Sequence, residues 1–79
     1  MTLDILTIIT TAFCTELKTK VGPEDDFFDL GGDSLASENV LIDISARTGV
    51  TLPGWALMDF PRAIDLAGYI ASLDQQSSR

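Results

Sequence analysis

The chain has 79 residues, 46% of them apolar and 22% charged, and five Lys and Arg set against twelve Asp and Glu leave a net charge of −7. That length allows a single domain, 1–79, and the composition is too apolar for a disordered segment; the charge repels phosphate backbones and anionic headgroups, so neither nucleic acid nor a membrane is an expected partner. Histidine is absent and Cys14 stands alone, which excludes a Ser-His-Asp triad, a His-containing zinc site, an internal disulfide and a CxxC motif.

The opening Met1-Thr2-Leu3-Asp4 carries an acid where a secretory signal carries Lys or Arg, and no apolar run approaches the ~20 residues of a membrane span. A cytoplasmic monomer is expected. From Leu3 to Lys18, Leu6, Ile9, Phe13 and Leu17 recur at spacings of three and four with Ile5 and Ala12 beside them, the pattern of an amphipathic helix. The β-branched residues here favour a strand, but Ile5-Leu6-Thr7-Ile8-Ile9-Thr10-Thr11 does not alternate, so period outweighs propensity. Val21-Gly22-Pro23 is expected to stop this helix, with Gly22 suited to a left-handed terminal position.

The loop from Gly22 to Asp33 holds five acids and no base, yet also Phe27, Phe28 and Leu30. Leaving all three apolar side chains in water forfeits roughly 1.5–3 kcal/mol each, so one or both phenylalanines, with Leu30, should anchor an ordered loop. A calcium ladder is broken by Asp29-Leu30-Gly31, and no metal site is expected. Helical spacing resumes at Ser34 and runs to Thr48, with Val40, Leu41, Ile44 and Thr48 on one stripe and Gly49 as the stop. Leu35, Glu38 and Ile42 fall on a neighbouring stripe; shared with a charge, it favours an exposed docking strip over a second core face. Trp55 to Phe60 is long enough only for a short helix before Pro61, with Trp55 either a core lid or an exposed aromatic. Arg62 to Leu73 is a last core helix, started by Asp59 or by the fixed φ of Pro61, and the polar segment 74–79 should fray. Cys14 is expected to be a small core hydrophobe.

Chemistry concentrates in Asp29-Leu30-Gly31-Gly32-Asp33-Ser34-Leu35. Two glycines free the backbone, and the Ser34 hydroxyl falls where a helix begins, near unpaired N–H groups and the positive end of the helix dipole. No histidine is available to activate that oxygen, so Ser34 reads as the substrate of another enzyme, with an unmodified helix cap as the plainer alternative. Asp33 is a cap with or without a further part in that encounter.

Phe27-Phe28-Asp29-Leu30-Gly31-Gly32-Asp33-Ser34-Leu35 resembles the attachment motif of the phosphopantetheine-dependent carrier proteins, which include acyl carriers and peptidyl carrier (thiolation) domains. The resemblance continues through Arg47-Thr48-Gly49-Val50-Thr51-Leu52-Pro53 and Leu57-Met58-Asp59-Phe60-Pro61, in the family's order of elements. It implies an all-α fold, a small four-helix bundle of the acyl-carrier-protein type with a short third helix. It also implies that Ser34, beside Asp33 and Gly32, receives 4′-phosphopantetheine from coenzyme A and that the arm carries cargo as a thioester. The implied partners are a phosphopantetheinyl transferase, an adenylating or acylating ligase and a downstream synthase or transferase, with docking through Leu35, Glu38 and Ile42. The chain itself is then no enzyme. Gly31-Gly32 is more similar to peptidyl carriers, whereas Glu38 is more like the acidic docking face of fatty-acid relatives; an aminoacyl or peptidyl cargo is expected, with a fatty or polyketide-type acyl cargo as the alternative. A helical interaction module that is never modified is the alternative of a different class. Met1 and the short polar tail suggest a free-standing carrier.

Overall fold

Four helices, α1 (Ile5–Leu17), α2 (Ser34–Thr48), α3 (Ala56–Asp59) and α4 (Ala63–Ser77), form the bundle in a computed structural model that describes residues 4–77, with side-chain surroundings given for residues 4–73. No strand occurs among the described residues, where the β-type contact is an isolated antiparallel bridge between Asp26 and Arg62. The expected all-α four-helix bundle with a short third helix is therefore the observed fold. Leu3, where the first helix was expected to start, lies outside the described residues, as do Ser78 and Arg79. The segment from Asp74, expected to fray, is helical as far as Ser77.

Helix α1 forms because Asp4 caps it: one carboxylate oxygen accepts the Thr7 N–H at 2.9 Å and the other the Thr7 hydroxyl at 3.0 Å. These bonds hold the exposed Asp4 carboxyl below its ordinary value of 3.8. Its apolar stripe then buries Ile9, Ala12 and Phe13, with Ile5, Leu6 and Leu17 packed at the margin. The far end corrects the expectation for Gly22. Helix α1 stops at Lys18, which takes the left-handed conformation (φ 57°) and donates its N–H to the Cys14 carbonyl at 2.8 Å. The early stop releases the chain so that Val21 packs against the core, while Gly22 opens a separate turn closed by the Asp25 carboxylate on its N–H at 2.8 Å.

Helix α2 buries Val40, Leu41 and Ile44 against α1 and ends at Gly49 (φ 76°), as the stripe and the glycine predict. Helix α4 packs Ala63, Leu66 and Ile70 against the other side of α1 and leaves Ile64 exposed. Its start differs from expectation. Neither Asp59 nor Pro61 caps it; the Arg62 carbonyl accepts the first helical bonds, from Asp65 and Leu66, and the Ile64 N–H donates to the Pro23 carbonyl at 2.9 Å. A backbone acceptor from the long loop thus does the work assigned to a capping side chain. In return the loop is held by α4, since the Phe27 N–H donates to the Pro61 carbonyl at 3.0 Å.

The core is centred where Phe13 of α1 meets Phe27 of the loop, their ring centres 5.0 Å apart. Phe27 is fully buried and Phe28 half-buried, so the phenylalanines anchor the loop; Leu30, at 38% exposure, does not. Cys14 is half-buried and outside the core cluster. Trp55, 49% exposed, is not a core lid: it lies against Tyr69 of α4 at 5.7 Å, and Tyr69 stacks on Phe60 at 5.0 Å. These aromatics tie the ends of α3 to α4.

Candidate functional site

The residues before Ser34 form a single helical turn with a cap at each end. Asp26 starts it, one carboxylate oxygen accepting the N–H groups of Phe28 at 2.8 Å and Asp29 at 3.1 Å. Gly31 ends it. With φ 105°, Gly31 donates to the Phe28 carbonyl and Gly32 to the Phe27 carbonyl, each at 3.1 Å, which is the paired bonding of a Schellman terminus. The two glycines of the motif therefore have different tasks. Gly31 supplies a backbone conformation that side chains rarely adopt, and Gly32 supplies room: a methyl group there would collide with the Phe27 ring at Cε2, Cδ2 and Cζ. Leu30 is carried outward at the end of this turn, which is why it fails as an anchor.

Immediately beyond, Asp33 begins α2. Its backbone is extended (φ −126°, ψ −173°), its carboxylate accepts the Ala36 N–H at 2.9 Å and its carbonyl accepts the Ser37 N–H at 2.9 Å. The cap is thus Asp33 and not Ser34, which is the first helical residue, exposed, with a hydroxyl that makes no hydrogen bond among the described residues. The N–H groups of Ser34 and Leu35 likewise have no partner among them, which suits an oxygen-rich anion at this end of the helix. Asp25, Asp26 and Asp33 all spend carboxylate oxygens on backbone N–H groups, which accounts structurally for much of the acidic loop.

Ser34 also lines an open cleft of about 230 Å³ with Phe28, Ser37, Glu38, Gly54 and Met58. A larger, shallow groove of about 480 Å³ adjoins it through Glu38 and Gly54 and is lined by Leu41, Ile42, Ser45, Thr51 and Leu52. Leu35 and Ile42 are each 68% exposed, so neither belongs to the core, and Glu38 lies exposed between them on α2. Asp43, on the same helix, is already engaged by Arg47 at 2.9 Å. Sequence reasoning missed Met58, which is 71% exposed and faces Ser34 across the cleft, and Gly54 beside it. The available hint was that a helix of one turn which buries Ala56 and Leu57 must turn the next residue outward.

A phosphopantetheine arm fits this position: the hydroxyl is accessible, unengaged and next to free N–H groups, and the cleft beside it is open. Comparison with known proteins agrees in family. Residues 7–70 match the model of the phosphopantetheine attachment site. The chain is 42% identical over 53 residues to tyrocidine synthase 3 of Brevibacillus parabrevis, an alignment covering 67% of this chain and 1% of that protein. It is 39% identical over 69 residues to a cyclosporin synthetase of Tolypocladium inflatum, covering 82% of this chain and a share of the synthetase that rounds to 0%. It is also 31% identical over 55 residues to the large subunit of L-2-aminoadipate reductase of Candida glabrata, covering 70% of this chain and 4% of the subunit. The chain thus spans only a few per cent of the length of these relatives. Since the family model covers most of its residues and the helical bundle agrees, the chain belongs to the phosphopantetheine attachment-site family and is a carrier domain of the kind that bears 4′-phosphopantetheine covalently.

Proposed function

We propose that Ser34 is the attachment residue, and that the domain shuttles an aminoacyl or peptidyl group between partner enzymes. The observation that carries this is the placement of Ser34: first residue of α2, exposed, and relieved of capping by Asp33. The hydroxyl oxygen is the nucleophile toward the pantetheine-bearing phosphorus of coenzyme A: the new O–P bond forms as the pyrophosphate P–O bond breaks, adenosine 3′,5′-bisphosphate leaves, and the hydroxyl proton goes to a base that the transferase supplies, because no side chain among the described residues hydrogen-bonds it. Once bound, the arm supplies a terminal thiol on which cargo rides as a thioester. Asp33 keeps the first turn of α2 in register, and the N–H groups of Ser34 and Leu35 face the added phosphate.

An aminoacyl or peptidyl cargo is favoured because tyrocidine synthase and cyclosporin synthetase, both named for peptide products, are among the similar proteins. The partners on this reading are a phosphopantetheinyl transferase, an adenylating ligase and a downstream synthase or transferase, which dock on Leu35, Glu38 and Ile42. The domain is acted upon and turns over nothing itself. Loading by an adenylating ligase supplied as a separate chain would test whether the domain accepts cargo in trans. Among the described residues no helix is long and apolar enough to cross a membrane.

Intact-protein mass spectrometry after incubation with a phosphopantetheinyl transferase and coenzyme A tests the attachment residue. The wild type should gain the arm and Ser34→Ala should gain none. Because Asp33 caps the helix, Ser34→Ala should change stability by less than about 0.5 kcal/mol, whereas Asp33→Ala should cost about 1 kcal/mol. An Ser34→Ala variant that still gains the arm removes the proposal.

A further inference from the structure

The turn before Ser34 holds a close contact between two residues five apart in sequence. Gly32 sits directly against the Phe27 ring, in space that a methyl group cannot share. The same two residues are joined through the backbone, Gly32 N–H to Phe27 carbonyl at 3.1 Å. Phe27 is in turn fixed from three sides: by Phe13 of α1 with ring centres 5.0 Å apart, by Phe28 edge-on at 5.3 Å, and by its own N–H on the Pro61 carbonyl at 3.0 Å. Gly32 precedes the capping residue Asp33, and Asp33 precedes Ser34. The height of the serine above the core is therefore set by how closely Gly32 can sit on the ring.

We propose that Phe27 and Gly32 are a matched pair of positioning residues, which together place the Ser34 hydroxyl for the transferase. Neither touches the incoming group. The pair acts through the chain: an added side chain at position 32 must lift the Gly32-Asp33-Ser34 backbone off the ring or push the ring into Phe13, and a smaller side chain at position 27 leaves the same backbone without a seat. A displacement of about an ångström in a reacting atom is enough to cost one to two orders of magnitude in rate. Changing both members so that the volume lost from the ring admits the volume gained at position 32 should restore the seat.

This inference rests on Ser34 being the attachment residue, and the experiment separates the two. Arm transfer is followed by intact mass at increasing transferase concentrations for the wild type, Gly32→Ala, Phe27→Leu and the double variant, below the melting temperature of each. Failure of the wild type to gain the arm at Ser34 would remove the attachment reading itself. If the wild type is modified, Gly32→Ala should lose about tenfold or more in the saturating rate, with the half-saturating transferase concentration within about threefold, because the outer face of α2 is unchanged. Phe27→Leu should also be slowed, and the double variant should be faster than either single variant. Should Gly32→Ala be largely unfolded, Phe27→Leu against the double variant decides by the same ordering. Wild-type rates for the folded single variants would overturn the proposal. So would a double variant that regains its melting temperature without regaining its rate, since that would make the pair structural alone.

Discussion

Lys18 carries backbone strain in the open: it is exposed, not a glycine, and held at φ 57° by its bond to Cys14 at the end of α1. For a side chain the left-handed region costs roughly 1–2 kcal/mol, part of which glycine repays in lost chain freedom. Lys18→Gly should thus stabilise the domain by about 0.5–1 kcal/mol, read as a higher midpoint in urea at unchanged slope. At this scale the sequence was legible in part. It marked Ser34 as presented and Gly31-Gly32 as special, but could not divide the glycines into one that supplies a positive φ and one that supplies space, because the Phe27 ring that decides the second is positioned by tertiary packing. Nor could it choose between Asp33 and Ser34 as the cap, since both are good caps and only the backbone angles separate them.

Among the elements, α2 presents two faces whose consequences differ. The inner stripe of Val40, Leu41 and Ile44 is buried, and the outer positions Leu35 and Ile42 stand free on either side of Glu38. Ile42→Ala should therefore change stability by no more than about 0.5 kcal/mol, against the ~2–5 kcal/mol of a buried isoleucine, while speeding dissociation from a partner that docks on the proposed strip. Glu38→Lys should slow association and weaken its salt dependence, which stopped-flow mixing at two ionic strengths would read. Asp43 is less able to contribute, because Arg47 already partners its charge. Period alone located this division, since three- and four-residue spacings sort a helix into faces. It also placed the end of α1 and the start of α4 to within a residue, but not what closes them, since both are satisfied by backbone carbonyls that leave no mark in the identity of the residue supplying them.

Across the whole molecule, those carbonyls make the long loop part of the bundle. Pro23 closes the start of α4, Pro61 holds Phe27, and Phe27 fills the centre of the core, so the loop cannot open without uncovering α1 and α4 together. Amide hydrogen exchange should find Phe27 and Ile64 protected to about the same degree as Phe13 in the middle of α1, in contrast to an ordinary surface loop. Exchange of Phe27 and Ile64 on the time scale of exposed amides would show the loop to be a separate unit. The sequence indicated that this acidic segment had to be ordered, since its two phenylalanines needed cover. Two of the contacts that order it, Phe27 to Pro61 and Ile64 to Pro23, join segments more than thirty residues apart, and no local pattern encodes those.

The capped turn from Asp26 to Gly32 has a thermodynamic consequence for recognition. A modifying enzyme that captures a serine on a flexible loop must pay for ordering that loop at the moment of binding. Here residues 26–33 are already locked by eight hydrogen bonds to backbone N–H groups, from Phe27, Phe28, Asp29, Leu30, Gly31 and Gly32 within the segment and Ala36 and Ser37 beyond it. The conformational entropy of the target has been lost during folding, so association with the transferase should carry little further ordering and the small heat-capacity change of two surfaces that meet preformed.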